Sequence, residues 1–346
     1  LPASILVGII LFFILGSIPK LKSKEYRFYI VFVSTIILSF TIALYNLGIT
    51  FETLLAIYSE WLHLIVRWVH IIVGVAWIGT SFYFNWLDSR LERDDPNFKH
   101  LDGYLWSVHS GGFYRIEKLK GPPNKLPKVL HWFKWEAYAT WISGFVLLIL
   151  VYYLNASSMM LGNGSIQLSP LASIVISILL LLGSWLLYDF ICKNSLKGSQ
   201  QTLVITGFSI FVIMSYLLTH IYGSRAAYIH VGAIIGTLMA ANVFRVIIPA
   251  QKNLVHAAEY NQKQNLSLSL EAKNRSIHNN YFTLPVLFIM ISSHFSFTYG
   301  ASYNWLILII ISIAGILTRH YFNLRNKKKI QGLDITFCSI NNVFIN

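Results

Sequence analysis

The sequence predicts an all-α fold: a polytopic transmembrane helical bundle of about nine spans, or eight if the first is not retained. Three observations lead there. The chain of 346 residues is 55% hydrophobic and only 12% charged, about half the charge of a soluble domain. Its apolar residues fall in blocks close to the ~20 residues that a helix needs to cross a bilayer. Most of its lysines and arginines fall in alternate connecting segments, as the positive-inside rule requires.

The blocks run over residues 2–18, 28–50, 62–87, 137–154, 170–191, 202–222, 226–249, 280–298 and 304–322. The first lies where a signal peptide would, but lacks a basic leading region and a small-residue cleavage site. Pro170, Pro249 and Pro285 each lie near the end of a span, so the broken half-helices of transporters are not in view. Residues 1–51 hold two extra N-terminal spans, 52–326 form the main membrane domain, and 327–346 are a basic and polar tail. Loop 88–136 is too long and too aromatic to be structureless. It is expected to fold back on the membrane surface as a cap.

A net charge of +13 invites a nucleic-acid partner. Its distribution argues against one. The basic groups sit at Lys20 to Arg27, Arg90 to Lys134, Lys193 and Lys197, Lys252 to Arg275, and Arg325 to Lys329. These loops are therefore expected in the cytoplasm, with the N-terminus outside and the C-terminus inside. Only Arg67 and Arg225 fall toward the outer face. The two cysteines, Cys192 and Cys338, are too far apart in the sequence to suggest a disulfide framework. No Cys-x-x-Cys-His is present, so no covalent c-type haem is expected in this chain. Phosphate-loop, dinucleotide and zinc-protease signatures are also absent.

Ionisable residues inside spans are costly and usually mark a site. Arg67-x-x-His70-x3-Gly74-x4-Gly79-Thr80 opens the third span, and Arg225-x4-His230-x-Gly232-x3-Gly236-Thr237 opens the seventh. The match hints at a parallel repeat of four-helix units. It would set His70 and His230 on facing helices as axial ligands of haem b. The alternative is that both are helix-to-helix hydrogen-bonding glue. The outer layer also holds His63, His220 and His294, and an inner pair, His278 and His320, could hold a second haem. His294 and His320 are therefore further metal-ligand candidates.

On the cytoplasmic side, His109, Gly111-Gly112 and Arg115 lie close together in the cap. Paired glycines permit close backbone approach, and an arginine suits a planar anion. His109, Arg115 and Glu117 are the catalytic candidates. Gly111, Gly112, Arg115, Lys118, His278 and Asn279 are the substrate-binding candidates. The competing reading is that Arg115 pairs with Glu117 or Glu136 and braces the loop.

Several blocks occur in an order that resembles the bacterial membrane-bound urate oxidase (urate hydroxylase) family. They are Glu60-Trp61…Arg67-Trp68-x-His70…Ala76-Trp77-Ile78-Gly79, Trp106-x-x-His109-x-Gly111-Gly112-Phe113-Tyr114-Arg115-x-Glu117-Lys118 and His131-Trp132-Phe133-Lys134-Trp135-Glu136-Ala137-Tyr138. Ser224-Arg225-Ala226-Ala227-x-Ile229-His230-Val231-Gly232-Ala233-x-x-Gly236-Thr237-x-Met239-Ala240-Ala241-Asn242, Arg275-Ser276-x-His278-Asn279-Asn280-Tyr281-x-Thr283-Leu284-Pro285 and Arg319-His320-x-Phe322-Asn323 complete the set. The resemblance covers roughly residues 52–326. It implies an integral membrane enzyme that converts urate to 5-hydroxyisourate and passes electrons to cytochrome c. Its usual members end in a cytochrome c domain, which this sequence lacks, so a separate cytochrome c is the expected acceptor. Two other classes fit the composition: a non-catalytic haem b electron-relay subunit, and a purine or anion transporter.

Overall fold

The computed structural model describes residues 24–46, 51–93, 95–123, 125–162, 166, 168–195 and 200–327. The expected first span and the tail beyond Lys327 lie outside these residues. The chain divides into two compact units, Leu1–Ile65 and Val66–Asn346. The first contains helix α1 (Lys24–Asn46) and the opening turns of α2 (Phe51–Arg90).

In the second unit, the end of α2 leads into a hairpin of β1 (Leu101–His109) and β2 (Gly112–Leu119). Helix α3 (Trp135–Leu148) follows and passes into a π turn at Ile149–Tyr153. Next come α4 (Pro170–Ser195), α5 (Gln200–Ile221) and α6 (Ser224–Ala241). A second π turn, Asn242–Ile247, joins α6 to α7 (Ile248–Glu259). The last long helices are α8 (Leu266–Ser292) and α9 (Asn304–Asn326).

Six helices among the described residues are long and apolar enough to cross a membrane. Each expected span after the first overlaps a helix, but α1 has only a shorter apolar stretch, Phe28–Ala43, and the eighth is displaced. Its helix, α8, starts at Leu266 on a polar stretch and stops at Ser292. The run to residue 298 is instead completed by a tight turn and the short helix Ser296–Tyr299.

Helix α6 is the axis of the bundle. More than half of the Ser224–Glu259 span is buried, against none of Leu55–Arg90. Its small residues explain this, because close backbone approach is how helices gain contact where lipid already satisfies apolar surface. Ala226, Ala227 and Val231 are fully enclosed. A Cβ at Gly232 would stand 2.6 Å from Ile289 Cγ2 and from Met290 Cε on α8. Helix α9 closes on α8 in the same way, with a Cβ at Gly315 falling 3.2 Å from Leu284 Cβ.

The hairpin departs from an all-helical fold. Its two-residue turn uses Ser110 (φ 48°) and Gly111 (φ 76°). That doubly left-handed geometry matches the twist of the strands and is cheap for glycine. The cap is thus an ordered β-hairpin. Lys118 ties it to the end of α2 through Asp88 (2.5 Å), and its own first strand adds Asp102 (3.1 Å). Burial pulls the Lys118 ammonium down in pKa, but the two carboxylates outweigh it and raise the value.

Candidate functional site

The cap residues are not assembled into a pocket. Arg115 lies opposite Trp106, and His109 opposite Gly112. Side chains alternate along a strand, so His109 and Arg115 point to opposite faces of the hairpin. His109 is exposed at the turn, with its Nδ1 2.7 Å from the neighbouring Ser110 hydroxyl. Arg115 pairs with Glu117 at 2.9 Å. Its guanidinium also covers Phe98 at 4.3 Å and Tyr104 at 5.1 Å. This is the bracing arrangement, and an exposed pair of this kind is worth about 0–1 kcal/mol. Gly111 makes the hairpin turn and Gly112 opens β2, so the glycine pair already has a structural task.

Toward the hairpin end of the bundle, a buried polar network crosses α4, α6 and α8. Arg275, 2% exposed, meets Asp189 at 2.6 Å. Asp189 also holds Lys193 at 2.7 Å. Asn242, at the start of the second π turn, donates to Asn279 Oδ1 at 2.8 Å and to the Tyr188 hydroxyl at 3.2 Å. Its carbonyl oxygen accepts from Arg275 at 3.5 Å. Tyr188 in turn touches His278 Nδ1 at 2.7 Å. The amide of Asn279 is spent twice, since its nitrogen donates to Met239 O at 2.9 Å. A π turn resets which way side chains face, which is why such turns recur at functional sites. Here it delivers Asn242 to this network.

Next to it, between α8 and α9, lies a second cluster. Arg319, 6% exposed, donates from Nε to Asn280 Oδ1 at 2.8 Å. Asn323 donates to the same oxygen at 3.0 Å. The Arg319 guanidinium stacks over Phe82 of α2 at 3.9 Å. His320 Nδ1 sits 2.8 Å from the Tyr281 hydroxyl.

Toward the opposite end, His230 is 1% exposed. Its Nδ1 lies 2.7 Å from Ala226 O, four residues back. A carbonyl cannot donate, so Nδ1 carries the proton and Nε2 carries the lone pair. That Nε2 is buried and has no partner. Tyr222 stacks on the ring at 4.6 Å and Tyr152 meets it edge-on at 5.9 Å.

His70 Nδ1 approaches Thr140 O at 3.1 Å and Ser143 Oγ at 3.0 Å on α3. Its Cε1 would lie 2.9 Å from a Cβ on Gly144. His70 therefore meets α3 near residues 140–144, and His230 meets the π turn that follows it at Tyr152. At 1.5 Å per residue these contact points are roughly 12–18 Å apart along the segment. The contacts thus set the two imidazoles against different parts of Trp135–Tyr153 rather than at one common level. The sequence match between the two spans hides this, because His70 follows Arg67 by three residues and His230 follows Arg225 by five. His294, the other outer candidate, lies exposed in the turn after α8 rather than within a helix.

Tyr188, Asp189 and Phe82 are not among the candidates that the sequence offers. Asp189 has a visible signal, as an acid inside an otherwise apolar span. Asn242 closes the sequence block that begins at Ser224, but its place in this network depends on the π turn. Among the described residues no group of three or more His, Cys, Asp or Glu could hold a metal ion. A haem held through single imidazoles would set a different requirement.

A family model described as urate oxidase N-terminal matches residues 56–345. No curated protein and no solved structure matches the chain. The match takes in the hairpin, both buried polar clusters and both histidine-bearing helices, and the chain belongs to the urate oxidase N-terminal family.

Proposed function

We propose that this chain is the membrane part of a urate hydroxylase, which converts urate to 5-hydroxyisourate and passes electrons to a cytochrome c. Water supplies the oxygen. At fixed charge state, urate plus water gives 5-hydroxyisourate plus two electrons and two protons, with one new C5–O bond. Such a reaction needs an anion site, a proton acceptor and an electron exit.

The observation that carries the reading, beside the family match, is His230. Its buried Nε2 presents a lone pair, with no partner, from a ring fixed by the Ala226 carbonyl. This is how an imidazole is prepared as a metal ligand, with the second nitrogen anchored. His230 therefore fits haem b as an axial ligand. His70 has the same fixed tautomer at another depth, so it would serve a different iron. When bound, haem b would supply the one-electron chemistry that connects a two-electron donor to cytochrome c.

The proton acceptors available near the hairpin end are His278 and His320, each held by a tyrosine hydroxyl. Their placement beside the buried arginines supports a urate site at this level, in preference to the exposed hairpin carrying His109.

The test is stoichiometry. Purified protein should reduce two molecules of ferricytochrome c for each urate consumed, because the substrate loses two electrons and cytochrome c accepts one. Urate loss without cytochrome c reduction would sink the coupling. The charge asymmetry further supports a cytoplasmic hairpin end. A cysteine in place of Lys263 should stay unlabelled by impermeant reagents in intact cells. Rapid labelling there would reverse the orientation.

A further inference from the structure

We propose that Arg319, Asn280 and Asn323, between α8 and α9, form the site that binds the purine anion; this rests on the urate reading above. Three buried atoms in this cluster have no partner: Arg319 Nη2, Asn280 Nδ2 and Asn323 Oδ1. Buried polar atoms are ordinarily paired, and leaving one unpaired costs about 1–3 kcal/mol. Three in one cluster are what a polar ligand, or water, would satisfy.

The set does not depend on how the amides are oriented. Arg319 Nε can only donate, so Asn280 must turn its oxygen toward it at 2.8 Å. That oxygen then accepts from Asn323, which must present its NH2 group at 3.0 Å. The Asn280 NH2 and the Asn323 oxygen are left over by necessity. The unpaired atoms are thus two donors, one of them on a full positive charge, and one acceptor.

Charge selects the ligand class. Among the described residues no carboxylate lies within ion-pair distance of Arg319, in contrast to Arg275, which has Asp189. Arg319 is covered on one face by Phe82. A buried guanidinium with a free N–H and no acid is an anion site in waiting. The acceptor on Asn323 excludes an ionised carboxylate as the full answer, because it has no hydrogen to give, and a phosphate could offer only the O–H of its protonated form. A planar anion that carries carbonyl oxygens next to ring N–H groups meets all three requirements. Urate is such a molecule: its –CO–NH– edges place an acceptor beside a donor. The alternative is that water fills the space and the cluster only braces α8 against α9.

The experiment is equilibrium dialysis of radiolabelled urate against the purified full-length protein, without electron acceptor. Three forms are compared: wild type, Arg319→Met and Asn323→Asp. The second substitution changes almost no volume but replaces the amide with a carboxylate, which neutralises Arg319 and repels an anion. Removing a charge-assisted hydrogen bond is worth about 10–100-fold in affinity, so Arg319→Met should weaken urate binding by at least that range. Asn323→Asp should weaken it too, with the thermal unfolding midpoint retained. Xanthine, with similar lactam edges, should compete, while fully N-methylated caffeine should not. If wild type binds urate and Asn323→Asp binds it equally well, the site lies elsewhere and the urate reading stands. If wild type binds no urate, the reading and the site fall together. Should Arg319→Met fail to fold, the Asn323→Asp result alone decides.

Discussion

Replacing His230 with alanine is expected to abolish haem absorbance at the level of Tyr152 and Tyr222 while the protein still inserts and purifies. The reasoning is local. Nδ1 is committed to Ala226 O, so Nε2 is the ring's only free position, and it is buried without a partner. Removing the ring removes the ligand. It also leaves a gap beside Tyr222, which stacks at 4.6 Å, and large-to-small changes in a core typically cost 2–5 kcal/mol. Stability must therefore be followed separately. His230→Met supplies that control, because it refills the volume with a softer ligand and should shift the spectrum rather than erase it. The pyridine haemochrome assay measures the outcome. Full haem content in His230→Ala would return this residue to the role of helix glue. A haem held by His230 should survive His70→Ala, since His70 contacts residues 140–144 and His230 contacts Tyr152.

The second large effect concerns the Asp189–Arg275 pair. Asp189→Ala is expected to destabilise the protein by about 3–5 kcal/mol, the usual cost of stranding one member of a buried ion pair. Arg275 is 2% exposed, and without Asp189 its nearest acid is Glu271 at 3.6 Å. Arg275→Met should cost less, because the stranded Asp189 keeps Lys193 at 2.7 Å. The double substitution should recover part of the loss, as a coupled pair requires. Thermal unfolding in detergent, followed by size-exclusion chromatography, measures all three. Equal and additive effects would show that the pair is not coupled.

The helices were legible because their cause is simple. A run of ~20 apolar residues has few alternatives in lipid, where every backbone group must be paired internally. That logic found α1 to α6 and α9, and it misplaced α8. The start of α8, Leu266 to Asn280, is polar because it carries Arg275, His278, Asn279 and Asn280 into the bundle, so hydropathy undercounts it. The hairpin was missed although its signals were present: β-prone residues on both sides of a Ser110-Gly111 turn. The length and aromatic content of the loop indicated order without specifying its form.

The site was legible by residue type and not by geometry. Sequence spacing placed His109, Gly111 and Arg115 near one another, but strand parity separates them, because His109 lies three positions past the residue opposite Arg115. The likeness between the spans of His70 and His230 concealed a difference in depth. Arg319 is visible as a cation inside an apolar span, whereas Arg275 reads as the end of a basic loop. Only the fold shows that Arg275 is neutralised by Asp189 while Arg319 is left with a free N–H.

The most direct test of the central claim is an anaerobic difference spectrum of the purified protein on addition of urate. The account predicts that urate reduces the bound haem, that 5-hydroxyisourate forms, and that oxidised cytochrome c then restores the original spectrum. A protein that carries no haem, or whose haem stays oxidised when urate is added at saturating concentration, would contradict it.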